Sequence, residues 1–555
     1  MKWSILLPTG EYLDTPPDFS IQFELSNQVF VSGNTSALPG SFSFPVDVPL
    51  TPLIRRQLNF PDRIDNASSL TSIEGACAYA EGIRMFPGTI KILDVTRNSV
   101  KISLVSSPLS TLKDTTLPEL DLGGERTFAP SSLADFMLDT AENPEDYDFA
   151  FFHVHNDGAP AAFNVWDTIA EEFLPDDSII TPFVRLDYLL QQMFLITEYQ
   201  FSNEFQVNLE LGRLYVFNNA DARQLSDTPP ISVVSPSVFD LKKHLPDISC
   251  ADFLKKVMAQ WGLGLFTNIF DKTSALVPLK NILARAPKHN WTDYADHDYT
   301  LNFSDAKKAP GYFNYTQPNA LPSHYPPIED ITLVFTAEEY AALPPVPGDY
   351  YYIENLSAYI QATPGANGRI GLFHRGVTLG EGEDYDAGME CFFDFYDGLL
   401  CNVPYSGWLD DGGYRWDSQD YPVVLMFYRG LQNVISGANN STVNSNTIWM
   451  ENSGVPPQKF KLVTAGVDVA DCDQSLNWFG DYGLYEKYHK TWAQMLMNNK
   501  HVTQSFILPI TVLTSFSFED KIRVGNMDFF AKRLRIQKLL DRGRVLVEAS
   551  MVSVI

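Results

Sequence analysis

The chain has 555 residues, enough for several domains, and its 45% hydrophobic, 13% aromatic and 19% charged residues are typical of a folded protein. Its formal net charge of −28 argues against binding to nucleic-acid phosphates or anionic lipid, because both require a basic surface. Five scattered cysteines exclude a disulfide framework or structural zinc site. The sequence also has no run of about 18 apolar residues, so no membrane helix is predicted.

Residues 1–110 are expected to be rich in β-strands. Apolar residues alternate with polar ones in 19–31 and 41–50, which is the period of a half-buried strand. Thr51 followed by Pro52 predicts the start of a short helix. A hairpin is predicted from the segments 88–98 and 99–107.

Residues 111–245 form a mixed α/β segment. Helical spacing predicts helices at 131–141, 164–174 and 181–199, and a strand is predicted at 146–156. His153 and His155 within that strand would face the same side, as in some metal sites, but a half-buried strand edge is the preferred interpretation.

Residues 246–285 form a helix–strand–turn–strand unit. Asp247 or Ser249 can cap the helix, and Gly262 can end it. One stripe of the helix is apolar, which predicts a buried face. The members of this stripe are Phe253, Leu254, Val257 and Trp261.

Residues 286–470 begin with a proline-rich stretch and continue as strands with long loops, so they are interpreted as an inserted or decorating β-rich domain. The predicted strands are 349–363, 368–376, 390–398 and 421–430. The chain as a whole is therefore assigned to the β-rich α+β class, with several domains.

Residues 471–555 combine a predicted helix within 477–499 with strands that turn at Gly525-Asn526. The segment 521–555 carries eight Lys/Arg against three Asp/Glu, a net charge of +5 in an acidic chain. These cations either pair with acidic neighbours in an assembly or form a solvated strand face.

The sequence contains none of the common nucleophile, phosphate-loop or zinc-protease motifs, so a non-catalytic protein without cofactor or metal is expected. One acidic, aromatic loop could bind a cation or a glycan, or act as a glycosidase site, or be solvated. Its residues are Asp410, Asp411, Trp416 and Asp417. The candidate packing or assembly residues are Trp261, Trp478, Trp492, Phe516, Phe518, Arg533 and Arg535.

Three stretches carry a family resemblance: residues 24–65, 248–279 and 483–536. The second has a helix ending in Trp261-Gly262-Leu263, and the third has a helix with Trp492-Ala-Gln-Met-Leu before a strand hairpin. Together they resemble the tail hub, or baseplate hub (tail-tip), proteins of tailed bacteriophages, in the divergent form of Bacteroidetes-like phages and prophages.

The resemblance implies two tail-tube-like β-barrel domains, with helical and β-rich domains inserted. The first would be a barrel-like domain at 1–110, and the second a half-barrel with a helix at 471–555. It also implies a homotrimer at the virion tail tip, made in the host cytoplasm. This ring would contact the tail tube, distal tail proteins, the tape-measure protein and a tail fibre or spike. DNA would pass through its lumen without specific binding.

Two other functions remain open from the sequence. The Asp/Trp-rich region 380–420 is also compatible with a glycan-binding or glycan-degrading surface protein. Another virion part, such as a receptor-binding or baseplate component of a phage or contractile injection system, fits as well. A structural hub is preferred because of the resemblance, and a β-rich, acidic chain without catalytic motifs suits a structural subunit.

Overall fold

The computed structural model is β-rich, as the sequence predicted. The residues that it describes are 3–17, 19–27, 40–63, 72–106, 109–127, 133–155, 162–167, 170, 172–175, 180–218, 222, 238–302, 312–314, 332–334, 350–353, 358–361, 369–372, 377–378, 384–386, 408–410, 413–415, 423, 425–433, 446–451, 461–474 and 483–554.

A sheet of 13 strands, called the large sheet below, dominates the fold. In spatial order, ten strands form a continuous path: Trp3–Leu6, Ser72–Ala80, Ile83–Val95, Ser99–Ser106, Gly40–Ser43, Phe23–Ser26, Met527–Leu540, Arg544–Val554, His501–Pro509 and Ala295–Asn302. Three more pair beside this path: Val46–Pro49, His289–Asn290 and Lys521–Val524.

The two ends of the chain meet in the middle of the large sheet. The strand Phe23–Ser26 runs antiparallel to the segment 533–536, with Leu25 opposite Leu534. Both leucines are buried in one core that also contains a stack of aromatic rings. In this stack the Phe23 and Phe86 ring centroids are 4.6 Å apart. Residues near both termini therefore share one sheet and one core, while the domain boundaries and the two barrels stay predictions.

A second core lies in the middle of the chain. Its five-stranded sheet contains Phe149–Ala150, Phe183–Arg185, Leu214–Val216, Leu425–Asn433 and Asn446–Glu451, and a three-stranded sheet contains Gln200–Asn203, Leu263–Asn268 and Thr273–Pro278. Short pairs are Glu125–Thr127 with Val238–Asp240, Val154–His155 with Ala162–Phe163, Trp166–Asp167 with Glu172–Phe173, and Lys461–Thr464 with Val467–Asp471.

Further short strands lie within the predicted decorating region. They are Tyr312–Asn314, Thr332–Val334, Tyr350–Ile353, Ala358–Gln361, Arg369–Leu372, Val377–Thr378, Asp384–Asp386, Trp408–Asp410 and Gly413–Arg415. The single strand predicted at 349–363 is instead an antiparallel pair, because the chain reverses between Ile353 and Ala358. The strand predicted at 390–398 lies outside the described residues.

The helices are short. The α-helices are Pro52–Gln57, Thr111–Asp114, Leu133–Glu142, Leu186–Leu195, Leu209–Gly212, Cys250–Trp261, Leu279–Ala284, Lys490–Asn498 and Ile510–Thr514. Single 3₁₀ turns are Leu117–Glu119, Phe205–Val207, Leu241–His244 and Thr292–Tyr294, and Tyr485–His489 is a π-helix. None of the helices in the described part of the chain is long and apolar enough to span a bilayer.

Two helix predictions are wrong. The segment 164–174 is a small hairpin, because the Trp166 and Phe173 rings pack across it with centroids 5.0 Å apart. The helix predicted from residue 181 begins only at Leu186, because Phe183–Arg185 is paired on both sides within the five-stranded sheet. In both cases, tertiary pairing overrides a local helical pattern.

Candidate functional site: the junction between the two cores

Trp261 is the last residue of the helix Cys250–Trp261. Ser249 caps its start, because its Oγ accepts a hydrogen bond from the Asp252 N–H at 3.1 Å. The Trp261 side chain is fully buried, and its ring centroid lies 5.0 Å from that of Phe205 and 5.1 Å from that of Tyr488. Trp261 is therefore a packing residue of the second core.

Gly262 lets another segment approach the end of this helix. Its backbone is left-handed, with φ of 56°. A Cβ atom placed there would lie 3.0 Å from the Tyr488 carbonyl oxygen and 3.2 Å from the His489 ring. Glycine therefore satisfies both a left-handed helix cap and a close approach of the π-helix Tyr485–His489.

Trp492 connects the middle of the chain with the large sheet. It is buried in a small cluster with Met495 and Leu496 from its own helix. The same cluster contains Phe266 and Val277 from the unit 246–285, and Phe530 and Val552 from the large sheet. The helix Lys490–Asn498 therefore packs between the unit 246–285 and the large sheet. We call this contact region the junction, and it is the candidate functional site.

Phe516 and Phe518 lie beside this junction. The Phe516 ring packs against Trp291 in the core of the large sheet, at a centroid distance of 5.4 Å. Phe518 is half-buried and packs against both the large-sheet core and the Trp492 cluster. These two rings consequently lie where the large-sheet core and the junction cluster come together.

Asp520 is the acidic centre of a cluster near Phe516. Its Oδ2 atom lies 3.0 Å from Lys288 Nζ and 3.1 Å from His289 Nε2. Burial opposes ionisation of this carboxyl group, but the hydrogen bonds from His289 and Lys288 leave its pKa below the usual value. The cluster fixes the connection between the helix Leu279–Ala284 and the large sheet.

Arg533 and Arg535 contact the N-terminal part of the same chain. Arg533 Nη1 lies 3.9 Å from Glu24 Oε2. The Arg535 guanidinium lies 4.4 Å from the centroid of the Phe44 ring, and its Nη2 donates to Gln22 Oε1 at 3.3 Å. Both arginines therefore support the seam where the two ends of the chain pair.

A buried ion pair in the second core was not identified from the sequence. Arg429 Nη2 lies 2.6 Å from Glu210 Oε1, and neither side chain is more than 2% exposed. Glu210 Oε2 also accepts hydrogen bonds from the main-chain N–H groups of Asp473 and Gln474. The Tyr488 hydroxyl donates to Gln474 Oε1, so this network reaches the junction. No local sequence pattern marks two charges so far apart in the chain.

The metal and glycan hypotheses can be compared with the structure only for the residues that it describes. No group of three or more His, Cys, Asp or Glu side chains there could hold a metal ion. His153 has a structural role, because its Nδ1 accepts a hydrogen bond from the Trp166 N–H at 3.2 Å. Asp410 ends the strand Trp408–Asp410. Asp411, Trp416, Asp417 and Trp478 lie outside the described residues, and the hypotheses about them stay untested.

No protein-family model matches the sequence, and no curated protein matches it significantly. Two solved structures align over 99% of this chain. One is the 43 kDa tail protein of prophage MuSo2 from Shewanella oneidensis, with 7% identity, 95% of that chain covered and a TM-score of 0.32. The other is the prophage tail protein gp18 from Listeria monocytogenes EGD-e, with 6% identity, 94% of that chain covered and a TM-score of 0.33. Function is inferred from the residues of this chain, because TM-scores this low establish no common fold.

Proposed function

We propose that the chain is a structural, non-enzymatic subunit of a bacteriophage tail, and specifically a hub subunit at the distal end of the tail tube. The observation that carries this proposal is the convergence of the three stretches that resemble hub proteins. They are separated by long intervals in the sequence, yet their residues pack together in the fold.

The first and third stretches pair edge to edge in the large sheet. Glu24 lies opposite Arg535 and Leu25 opposite Leu534, in an antiparallel register. The buried leucines and the Arg535–Phe44 contact make this seam both apolar and specific. Such pairing is expected if the two stretches form one functional body.

The second stretch meets the third at the junction. Phe266 and Val277 pack with Trp492 and Met495, and His489 contacts the end of the helix Cys250–Trp261. The described aromatic candidates are thus used for packing, as expected of a structural subunit.

In this proposal three copies form a ring that joins the tail tube and distal tail proteins to a fibre or spike. The tape-measure protein and DNA pass through its lumen.

The test is to locate the protein in purified tail particles. Mass spectrometry of intact particles, and electron microscopy with an antibody against this chain, should place it at the distal tip. Its absence from the particles would overturn the structural role, and a label confined to the tube or the distal fibres would overturn the hub assignment.

A pair of variants makes the test specific to the fold. Leu534→Asp places a charge in the seam between the chain ends and should prevent incorporation into particles. Leu93→Asp introduces the same charge at a side chain that is 52% exposed in the same sheet, and should be incorporated normally. Equal incorporation of both variants would contradict the role given to the seam.

A further inference from the structure

The solvent face of the C-terminal hairpin combines cations with apolar side chains. Lys538, Arg542 and Arg544 are exposed around the turn between the last two strands. Leu546 lies opposite both Lys538 and Ile507, so these side chains project from the same face of the sheet. Ile507 is 40% exposed. We call these five residues the cationic patch.

Two other cations of the basic segment have acidic neighbours. Arg523 pairs with Asp528, and Arg533 lies near Glu24. Within the described part of the chain, the cationic groups of Lys538, Arg542 and Arg544 form no ion pair. In a chain with a net charge of −28, three such cations beside the exposed Ile507 and the half-buried Leu546 mark a place that a carboxylate-bearing surface can approach.

A surface of the opposite character lies on the hairpin formed by Lys461–Thr464 and Val467–Asp471. We call its outer strand, Val467–Asp471, the acidic valine strand. Val467 is 63% exposed, Val469 is 46% exposed, and Asp468 between them is exposed as well. The inner side of this strand packs through Ala470 against Leu462 and Cys472. The exposed stretch 467–469 therefore presents two β-branched apolar side chains with a carboxylate between them in sequence.

We propose that the cationic patch of one copy binds the acidic valine strand of a second copy of this chain. Ile507 and Leu546 would cover Val467 and Val469, while the cations would approach Asp468. Because the two surfaces differ, the contact is head-to-tail, and such contacts close into a ring when the rotation permits. This inference rests on the proposed function in one respect, since the interface would be the contact between copies that holds the proposed ring together.

The first experiment measures self-association of the full chain by light scattering over a concentration series. Wild-type protein should reach a multiple of the 62.4 kDa chain mass. The triple variant Lys538→Glu, Arg542→Glu, Arg544→Glu should weaken association by about tenfold or more. The pair Val467→Thr, Val469→Thr should also weaken it, because it keeps the side-chain shape and removes apolar contact. A wild-type protein that stays monomeric would overturn the proposal.

A matched control makes the same charge change elsewhere on the large sheet. The triple variant Arg84→Glu, Lys91→Glu, Arg97→Glu alters exposed cations of the N-terminal half and should associate like the wild type. Thermal unfolding at a concentration at which the chain is monomeric should be unchanged for all exposed variants, which separates lost association from lost folding. If both triple variants weaken association equally, the effect comes from the change in net charge, and the assignment of the patch is overturned.

Charge exchange tests the pairing itself. Arg542→Glu and Asp468→Arg should each weaken association, and one chain that carries both should recover part of it. Recovery supports direct proximity of the two positions, while additive loss contradicts it. The particle localisation described above is independent. If the protein lies at the tail tip but its association does not depend on these charges, the proposed function stands and this interface is overturned.

Discussion

The Nε2 atom of His489 lies 3.0 Å from the main-chain carbonyl oxygen of Gln260, a contact between residues 229 positions apart. The imidazole is buried at the point where the π-helix meets the end of the helix Cys250–Trp261. Burial lowers the pKa of His489 to about 4, because it penalises the charged form more than the Gln260 carbonyl favours it. The residue is therefore a neutral component of the junction at pH 7.

We predict that His489 makes stability depend on pH below its ordinary pKa of 6.5. Between pH 6.5 and about 4 the unfolded chain binds a proton that the folded chain does not, so stability falls as the pH falls. The full contribution is on the order of 3 kcal/mol. Urea unfolding at several pH values should show this loss in the wild type. His489→Gln should show a smaller loss, and parallel curves for the two proteins would contradict the prediction.

Removing one member of the buried ion pair should be costly. Arg429→Met leaves the Glu210 carboxylate buried without its cation, so we expect a loss of about 3–5 kcal/mol in the free energy of unfolding. Adding Glu210→Gln removes the uncompensated charge and should restore part of that stability. As a control, Lys272→Met breaks an exposed pair with Glu198 and should cost about 1 kcal/mol or less. A double variant less stable than Arg429→Met would refute the explanation.

Trp492 is expected to stabilise the junction through packing. Trp492→Ala empties the centre of the cluster between the unit 246–285 and the large sheet, and should cost about 3–5 kcal/mol. Hydrogen exchange should also become faster around Phe530 and Val552, which pack on the same ring cluster. Gln494→Ala, at an exposed position of the same helix, should change stability by about 0.5 kcal/mol or less. A similar effect of both variants would argue against packing of the Trp492 ring as the source of the stability, because alanine is the strongest helix former at either position.

The close approach at Gly262 can be separated from its backbone conformation. Gly262→Ala places a Cβ atom in a left-handed residue and against the Tyr488 carbonyl oxygen. Gly525→Ala serves as a reference, because Gly525 has φ of 60° but open space around its Cβ position. We expect either substitution to lower the free energy of unfolding by about 1–2 kcal/mol because of the left-handed conformation. A further loss is expected only at Gly262. Equal losses in urea unfolding would argue against the contact.

Local patterns predicted the elements whose stabilising contacts lie nearby in sequence. The helix Cys250–Trp261 has its cap at Ser249, its apolar stripe and its terminating Gly262 within 14 residues of chain, and the structure confirms it. The turn at Gly525-Asn526 is confirmed for the same reason, since its strands are adjacent. These signals depend on periodicity and turn chemistry, which a single sequence shows directly.

Distant pairing could not be predicted in the same way. The alternation around Leu25 and Leu534 shows that each residue has a buried face, but it does not specify that they oppose each other. The sequence around Glu210 and around Arg429 is that of ordinary charged residues, because the partner of each lies far away in the chain. The same limitation applies to 164–174, where a ring packed across the turn decided between helix and hairpin.

The seam between the two ends of the chain has a consequence for biosynthesis. Strand Phe23–Ser26 emerges from the ribosome long before the segment 533–536 that pairs with it. Until that segment is made, Leu25 lacks its partner Leu534, although Phe23 can already stack on Phe86. A chain that stops before residue 533 therefore has an incomplete large sheet, so its N-terminal strands expose an edge that the native fold covers.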